Sequence, residues 1–471
     1  MRLARGSFAC LAIAALSLLI PSAPTTDSWG WIVWGREVLH LQLSTVVPGS
    51  PSWKPLPVLF TAPLALAGGM APSLWLLVAR AGALGGLLVS ARLAARLAGP
   101  WAAVIAPVGL VLSTGWVREF AHGYTEPLAI GLLALAVEQQ LAGRIRRALL
   151  LSALVALARP EALVLVGVYG ALGWRRREVH PLLSAVAVVT VVALWVVPDW
   201  LGSGQLVHAG HVASRVVPTG PAERAAAFRE VAAIVLVPLS LGAVAAIVLA
   251  WRRRQQAVLW LAGIALGWAA LLTLMIARGY PPEARFFALP AGLWCISGAV
   301  GLAWLAQAVP SPRLRPALAL GLALLVLPFA VARGHHSLDE GADAIDRAEL
   351  EAQLRTVVDR ARVDRDEPML PERLAWMKGE VAWQLDLPLR EVRQARTSDA
   401  IYLKRLDDPD TDPLPRFATN APISVRPARE GELLLEPFGG SRIRLAHRGG
   451  KRLETVARAG RWRALLLARR S

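Results

Sequence analysis

The sequence has little cysteine, little acid over most of its length and no internal repeat, and each scarcity narrows what the chain can be. Only Cys10 and Cys295 occur in 471 residues, and both fall inside apolar runs, so neither a disulfide framework nor a thiolate metal site is expected. Of the 34 acidic residues, eleven lie in the first 332 positions and 23 crowd into the last 139, which marks a change of environment near Arg333. No repeat at a fixed period and no long low-complexity tract interrupts the chain.

What fills the first 332 positions is apolar. Hydrophobic residues make up 55% of the chain and its mean hydropathy is +0.46, too apolar for a soluble protein of this size. Its hydrophobic runs approach the roughly 20 residues that cross a bilayer. The net charge of +17 sits in short clusters: Arg92 with Arg96, then Arg144, Arg146 and Arg147, then Arg175 to Arg177, Arg252 to Arg254, and Arg313 with Arg315. Short basic loops stay in the cytoplasm during insertion, which accounts for much of the charge without a nucleic-acid partner. The opposite ends of the apolar segments carry Asp27, Glu37, Glu119, Glu126, Glu161, Asp199, Glu223, Glu230 and Glu283, leaving Glu138 and Glu178 as the exceptions on the arginine side. The acids therefore mark the outer face.

The expected architecture is a polytopic α-helical membrane protein with a C-terminal soluble α+β extracytoplasmic domain. Leu3 to Ser22, after Arg2 and Arg5, reads as a first span with a cytoplasmic N-terminus or as a cleaved secretory signal, since both share that order. An outer loop over 25–54 is rich in tryptophan, and Trp29, Trp31, Trp34 and Trp53 suit a headgroup interface. Pro55 to Gly69 is short and broken by prolines, and is expected to be re-entrant or interfacial. Spans follow at about 73–91, 100–115, 126–142, 148–158, 160–174, 181–198, 231–251, 257–277, 286–306 and 316–332, about eleven crossings with the first. The halves 148–158 and 160–174 are too short for ordinary spans, so the turn at Arg159-Pro160-Glu161 is placed below the outer surface. Further outer loops run over 199–230 and 278–285. An odd number of crossings puts residues 333–471 outside. There, Ala342 to Arg362 has helical spacing, while Glu432 to Glu436 and Arg442 to Leu445 are strand-like pieces between Gly-Gly pairs.

Several outer-face residues suit chemistry, and each has a plain structural alternative. Asp27 is a candidate general base at the mouth of an outer cavity, or an N-cap. Glu126, in His122-Gly-Tyr-Thr-Glu-Pro127, is a candidate cavity carboxylate or a helix-dipole partner. Arg159 and Glu161 are charges below the surface, where ionisable residues are functional candidates by default; the alternative is an internal ion pair. Lys54, Arg278 and Arg285 are outer cations against the charge bias, suited to a lipid-linked phosphate or to headgroup anchoring. His208 and His211 share a spacing that suits a metal, but no clustered carboxylates accompany them, and no metal site is assigned. His335 and His336 are adjacent, a poor spacing for shared ligation.

The order of these pieces over roughly residues 1–335 resembles the GT-C superfamily of integral-membrane glycosyltransferases, of the mannosyltransferase and aminoarabinose-transferase kind, which use polyprenyl-phosphate-linked sugars. The resemblance rests on a first span, Asp27 in the first outer loop, and Trp53-Lys-Pro-Leu-Pro-Val58, which looks like the family's Lys-Pro-Pro-Leu element. It continues through Gly123-Tyr-Thr-Glu-Pro127, the Arg159-Pro-Glu-Ala162 turn and the Pro282-Glu-Ala-Arg-Phe286 loop. It implies that Asp27 is the catalytic base with Glu126 beside it, that Lys54, Arg159 and Arg285 hold the donor phosphate, and that Glu161, His122 and Tyr124 line the cavity. Two departures stand out: Ser28 follows Asp27 where many members have a second acid, and Leu56 displaces the second proline of the lysine element. They leave dependence on a divalent cation, Mg or Mn, open.

The chemistry that fits is attack of an acceptor hydroxyl on an anomeric carbon with polyprenyl phosphate leaving, a single displacement that inverts the centre. The acceptor is a lipid, a glycan or a protein, membrane lipids surround the chain, and the abundance of Ala, Arg, Leu and Gly points to a bacterial plasma membrane. A transporter or flippase of lipid-linked sugar would instead show charges near mid-bilayer on several helices and often a repeat. A catalytically inactive glycan-binding scaffold would tolerate loss of Asp27, Glu126 and Arg159 together.

Overall fold

The computed structural model describes residues 2–47, 51–113, 115–213, 229–231, 233–308, 314–361, 369–371, 377–395, 433–437, 451–459 and 462–469. Apolar runs form helices and break at glycine, proline and arginine clusters, as side-chain sterics and propensity dictate. In chain order these are α1 (Arg2–Ser17), α2 (Thr26–Leu39), α3 (Pro55–Ala65), α4 (Ala71–Ala98), α5 (Pro100–Ser113), α6 (Trp116–His122), α7 (Glu126–Leu141) and α8 (Ile145–Ala158). There follow α9 (Leu163–Arg175), α10 (Pro181–Ser203), α11 (His208–Ala213), α12 (Val237–Arg252), α13 (Gln256–Ala277), α14 (Ala288–Gln307), α15 (Leu314–Ala361) and α16 (Lys378–Gln384).

Among the described residues, four stretches are long and apolar enough to cross a bilayer by length and composition: Gly68–Ala98, Pro181–Ser203, Gln256–Ala277 and Ala284–Gln307. Other expected spans form shorter helices. α7 and α12 have 16 residues each, α8 has 14 and α9 has 13, and at about 1.5 Å per residue they fall short of a core roughly 30 Å thick. The α8–α9 break is a 3-10 turn over Pro160–Ala162, where Arg159 is the extended residue before proline. α3 is an 11-residue helix with Pro55 at its first position and Pro63 inside it, too short to span.

The two acids on the arginine side have structural duties. Glu138 accepts from Arg92 at 2.7 Å, and Glu178 accepts from the backbone N–H of Ile145 at the start of α8 at 3.3 Å. α12 and α14 cross through glycine: a Cβ at Gly298 or Gly301 would run into the carbonyls of Leu239 and Gly242, the close approach that small residues allow between membrane helices.

Two expectations are corrected, and one unforeseen helix appears. The span at 316–332 and the helix at 342–362 are one continuous helix, α15, of 48 residues; Gly334 and Gly341 lie between them without breaking it, so the change of composition at Arg333 falls mid-helix. The segment before Gly123 contains a seven-residue helix, α6, that apolar periodicity did not reveal. The loop tryptophans do not lie at a lipid interface: Trp29, Trp31, Trp34 and Trp53 are buried in a second core built with Trp75, Leu350, Leu354, Met377 and Val381. Residues 377–395 and the late turns of α15 cover α2 from outside, which removes the solvent-facing surface an interfacial tryptophan needs.

Beyond α15, five strands among the described residues form one sheet: β1 (Met369–Pro371), β2 (Arg393–Ala395), β3 (Leu433–Pro437), β4 (Lys451–Ala459) and β5 (Trp462–Arg469), in the order β2-β1-β3-β5-β4. β4 and β5 pair antiparallel from Lys451 opposite Arg469 to Ala459 opposite Trp462, and β1 runs parallel to β2 and β3. The strand expected at 432–436 is β3; the one expected at 442–445, like Arg313, Glu223 and Arg362, lies outside the described residues.

Candidate active site

Five charged side chains converge because five chain breaks converge. Asp27 is in the first turn of α2. Lys54 is the residue before α3, where Pro55 opens the helix without needing an N–H partner. Glu126 begins α7, again followed by proline. Arg159 ends α8, and Arg285 lies in the 3-10 turn Ala284–Phe287 that leads into α14. Charges placed at helix ends leave the apolar helix bodies intact and gather at one level.

Glu126 is the hub of the buried half. Its Oε1 accepts from Arg159 Nη2 at 2.6 Å and from Lys54 Nζ at 3.3 Å, and its side chain is 1% exposed. The Thr125 hydroxyl donates to Oε2 at 3.3 Å. The open half is Arg285, whose Nη1 donates to Asp27 Oδ2 and whose Nε donates to Glu283 Oε2, both at 2.5 Å. Arg159 Nη2 also reaches the Arg285 carbonyl at 3.4 Å, so the halves touch. Aromatic faces back the cations: Phe286 lies 4.6 Å from Arg159 Cζ and 5.5 Å from Arg285 Cζ, and Trp31 lies 5.0 Å from Lys54 Nζ. Buried charges persist only when paired in this way.

The start of α2 is fixed from below. Thr25 caps the helix, its hydroxyl accepting from Ser28 N at 3.4 Å, so Asp27 is not the N-cap and its carboxylate is free for Arg285. The Ser28 hydroxyl lies 3.1 Å from the His122 carbonyl and 2.9 Å from that of Gly123, and Trp75 Nε1 donates to Gly123 at 3.1 Å. Gly123 has φ +71, and a Cβ there would meet Leu76 at 2.9 Å, so the α6–α7 turn demands glycine. His122 Nδ1 lies 2.9 Å from the Ala23 carbonyl; its contacts are with the approach to α2. Tyr124 stands beside Asp27: burial first, then the Asp27 carboxylate, push its phenol above the ordinary value and keep it neutral. Glu161 is half-buried near Arg159, and its Oε2 has no hydrogen-bond partner.

Seven of the eight sequence candidates thus fall in or against one cluster and His122 lies outside it on the Ala23 carbonyl, while Arg278 is exposed and His208 Nε2 lies 3.0 Å from the Thr45 carbonyl. Among the described residues no group of three or more His, Cys, Asp or Glu side chains converges, and Asp27 and Glu126 each face Lys or Arg. Sequence reasoning missed Arg80, a lone cation inside an apolar run, which was itself the available signal. Its guanidinium donates to the carbonyls of Ser17 at 2.9 Å, Phe120 at 3.3 Å and Ala121 at 2.9 Å, and to the Ser22 hydroxyl. It ties α1 to the α6 turn beneath Asp27.

No family model matches this sequence, and no curated protein matches it. Solved structures do share its fold. ArnT from Cupriavidus metallidurans bound to undecaprenyl phosphate is 13% identical, with 98% of this chain and 97% of that chain covered at a TM-score of 0.54. The apo structure of the same protein is 15% identical, with 98% of each chain covered at a TM-score of 0.59. This chain therefore has the fold of ArnT, with four helices among the described residues long and apolar enough to cross a membrane.

Proposed function

We propose that this protein is a membrane glycosyltransferase that moves a sugar from a polyprenyl-phosphate donor to an acceptor hydroxyl on the outer face of a bacterial plasma membrane. The observation that carries this reading is the graded cluster: a half-open carboxylate, Asp27, borders three cations that deepen from Arg285 to Lys54 and Arg159. That is a base next to an anion site, with the ArnT fold around it and undecaprenyl phosphate bound to that neighbour. In the step proposed, the acceptor oxygen forms its bond to the anomeric carbon as the carbon–oxygen bond to phosphate breaks. Asp27 takes the acceptor proton, and the leaving phosphate keeps the bonding electron pair. Arg285, Lys54 and Arg159 stabilise the charge that develops on it. One displacement inverts the anomeric centre. The cations serve in place of a divalent ion, so chelation with EDTA is expected to leave turnover within two-fold.

In the same reading about eleven crossings, some completed by the short helices, place the N-terminus in the cytoplasm and residues 333–471 outside, where they bind the acceptor or its glycan. The test is transfer by the purified chain from radiolabelled decaprenyl- and undecaprenyl-phosphate sugars to a membrane-lipid and glycan extract. Asp27→Asn is expected to lose at least a hundred-fold in turnover while eluting as the wild type does. Near-normal turnover by that variant would remove Asp27 as the base, and no transfer by the wild type with tight donor binding would favour a lipid-sugar transporter or a binding scaffold.

A further inference from the structure

The three cations of the site are not held alike. Lys54 and Arg159 both commit to one carboxylate, Glu126, with side chains 9% and 6% exposed. Arg285 is the reverse: one guanidinium, 28% exposed, divided between Asp27 and Glu283. Its Nε edge lies on Glu283 while a terminal nitrogen holds Asp27, and the Phe286 ring supports it from 5.5 Å. Because the guanidinium is a rigid fork with donors on several edges, it can turn about the edge that Glu283 holds and exchange its other partner. All three cations are already paired with Asp27, Glu126 or Glu283, so a phosphate enters by exchanging an ion pair. The Asp27–Arg285 pair is the accessible one; the Glu126 pairs are shielded.

Resting on the donor-phosphate reading above, we infer that the donor unmasks the catalytic base: its phosphate takes Arg285 from Asp27, and the freed carboxylate accepts the proton of the acceptor hydroxyl. Asp27 and the phosphate then compete for one guanidinium, and donor binds before acceptor. The exchange also keeps the base paired until a lipid phosphate is in place. No bond other than the ion pairs changes until the acceptor arrives.

The competition is measurable without any acceptor. Equilibrium binding of radiolabelled undecaprenyl phosphate is measured on the full-length chain in nanodiscs for the wild type and Asp27→Asn. It is repeated for Arg285→Gln, Arg285→Met and each combined with Asp27→Asn, with size-exclusion elution as the folding control. Asp27→Asn is expected to bind five- to twenty-fold more tightly than the wild type, because the competitor is gone. Each Arg285 variant is expected to bind at least ten-fold more weakly, and adding Asp27→Asn to it to change affinity less than two-fold. Unchanged or weaker binding by Asp27→Asn, or a gain that persists without Arg285, overturns the exchange while leaving the donor site standing. No saturable binding by the wild type overturns both.

Discussion

Glu126 and Asp27 are both carboxylates paired with arginine, yet their surroundings predict opposite outcomes on neutralisation. Glu126→Gln leaves Lys54 and Arg159 buried without their shared anion, and breaking a buried pair from one side costs about 3–5 kcal/mol. Asp27→Asn leaves Arg285 with Glu283 at a site that water reaches, and the expected cost is below about 1 kcal/mol. Thermal unfolding of the two variants in nanodiscs separates them: a Tm several degrees lower for Glu126→Gln and an almost unchanged one for Asp27→Asn. Equal shifts would mean that Glu126 is not the hub. That these charges share one end of the helices was legible in the sequence because each interrupts an apolar run at the same end. Who pairs with whom was not, since Asp27 and Arg285 lie 258 positions apart and nothing local encodes that contact. Glu283 shows the same limit, standing two residues from Arg285 in a motif already noticed while its role as the holder of Nε appears only in the fold.

The helix that carries Asp27 is held over its length by elements from the other end of the chain. Trp29 Nε1 donates to Glu351 of α15 at 3.1 Å. Arg36 pairs with Asp386 at 2.7 Å and donates to the Leu387 carbonyl at 2.6 Å. Glu37 accepts from the backbone N–H of Leu389 at 2.6 Å and of Ser44 at 3.2 Å. Gly379 of α16 packs so closely that a Cβ would meet Trp29 Cβ at 2.9 Å and the Gly30 nitrogen at 3.1 Å. Gly379→Ala should therefore push α16 off α2 at a cost of about 1–3 kcal/mol, read as faster amide exchange over residues 378–392. Burial pushes Glu37 up to about 7 from its ordinary 4.5, against those two N–H groups. Between these values the folded chain binds more protons at Glu37 than the unfolded one, so this contribution to stability falls as pH rises from about 4.5 to 7 and is flat above. Glu351, raised to about 7 by burial, and Glu380, raised by burial and by Glu351 beside it, act in the same direction. Tm in nanodiscs should fall across that window, and Glu37→Gln should flatten part of the slope; a Tm that rises with pH would contradict the assignment. Helix positions were readable from hydrophobic runs. That α2 would be enclosed was not, because the tryptophans that signal an interface signal a core equally well, and the covering residues come more than 300 positions later.

Across the whole molecule, the charge asymmetry and the site bear on one question, the side of the membrane on which Asp27 works. Arginine clusters at one level and carboxylates at the other orient the helices, and the buried charges of the site gather at the acidic level, at the ends of α2, α7 and α8. The scarcity of cysteine makes this directly testable. With Cys10→Ser and with Cys295 buried, the chain offers an almost silent background for a membrane-impermeant maleimide. Gln42 and Arg390 are exposed near α2, and Gln255 is exposed beside Arg252 to Arg254. In intact cells Gln42→Cys and Arg390→Cys should label and Gln255→Cys should not, until the membrane is permeabilised. The inverse pattern would put Asp27 in the cytoplasm and three arginines outside, contradicting both the retention of basic loops and an outer-leaflet donor. Labelling of Gln42→Cys but not Arg390→Cys cannot be reconciled with the Arg36–Asp386 ion pair, which requires residues 377–395 and α2 to share one side. The packing within the fold thereby constrains the topology as firmly as the charges do.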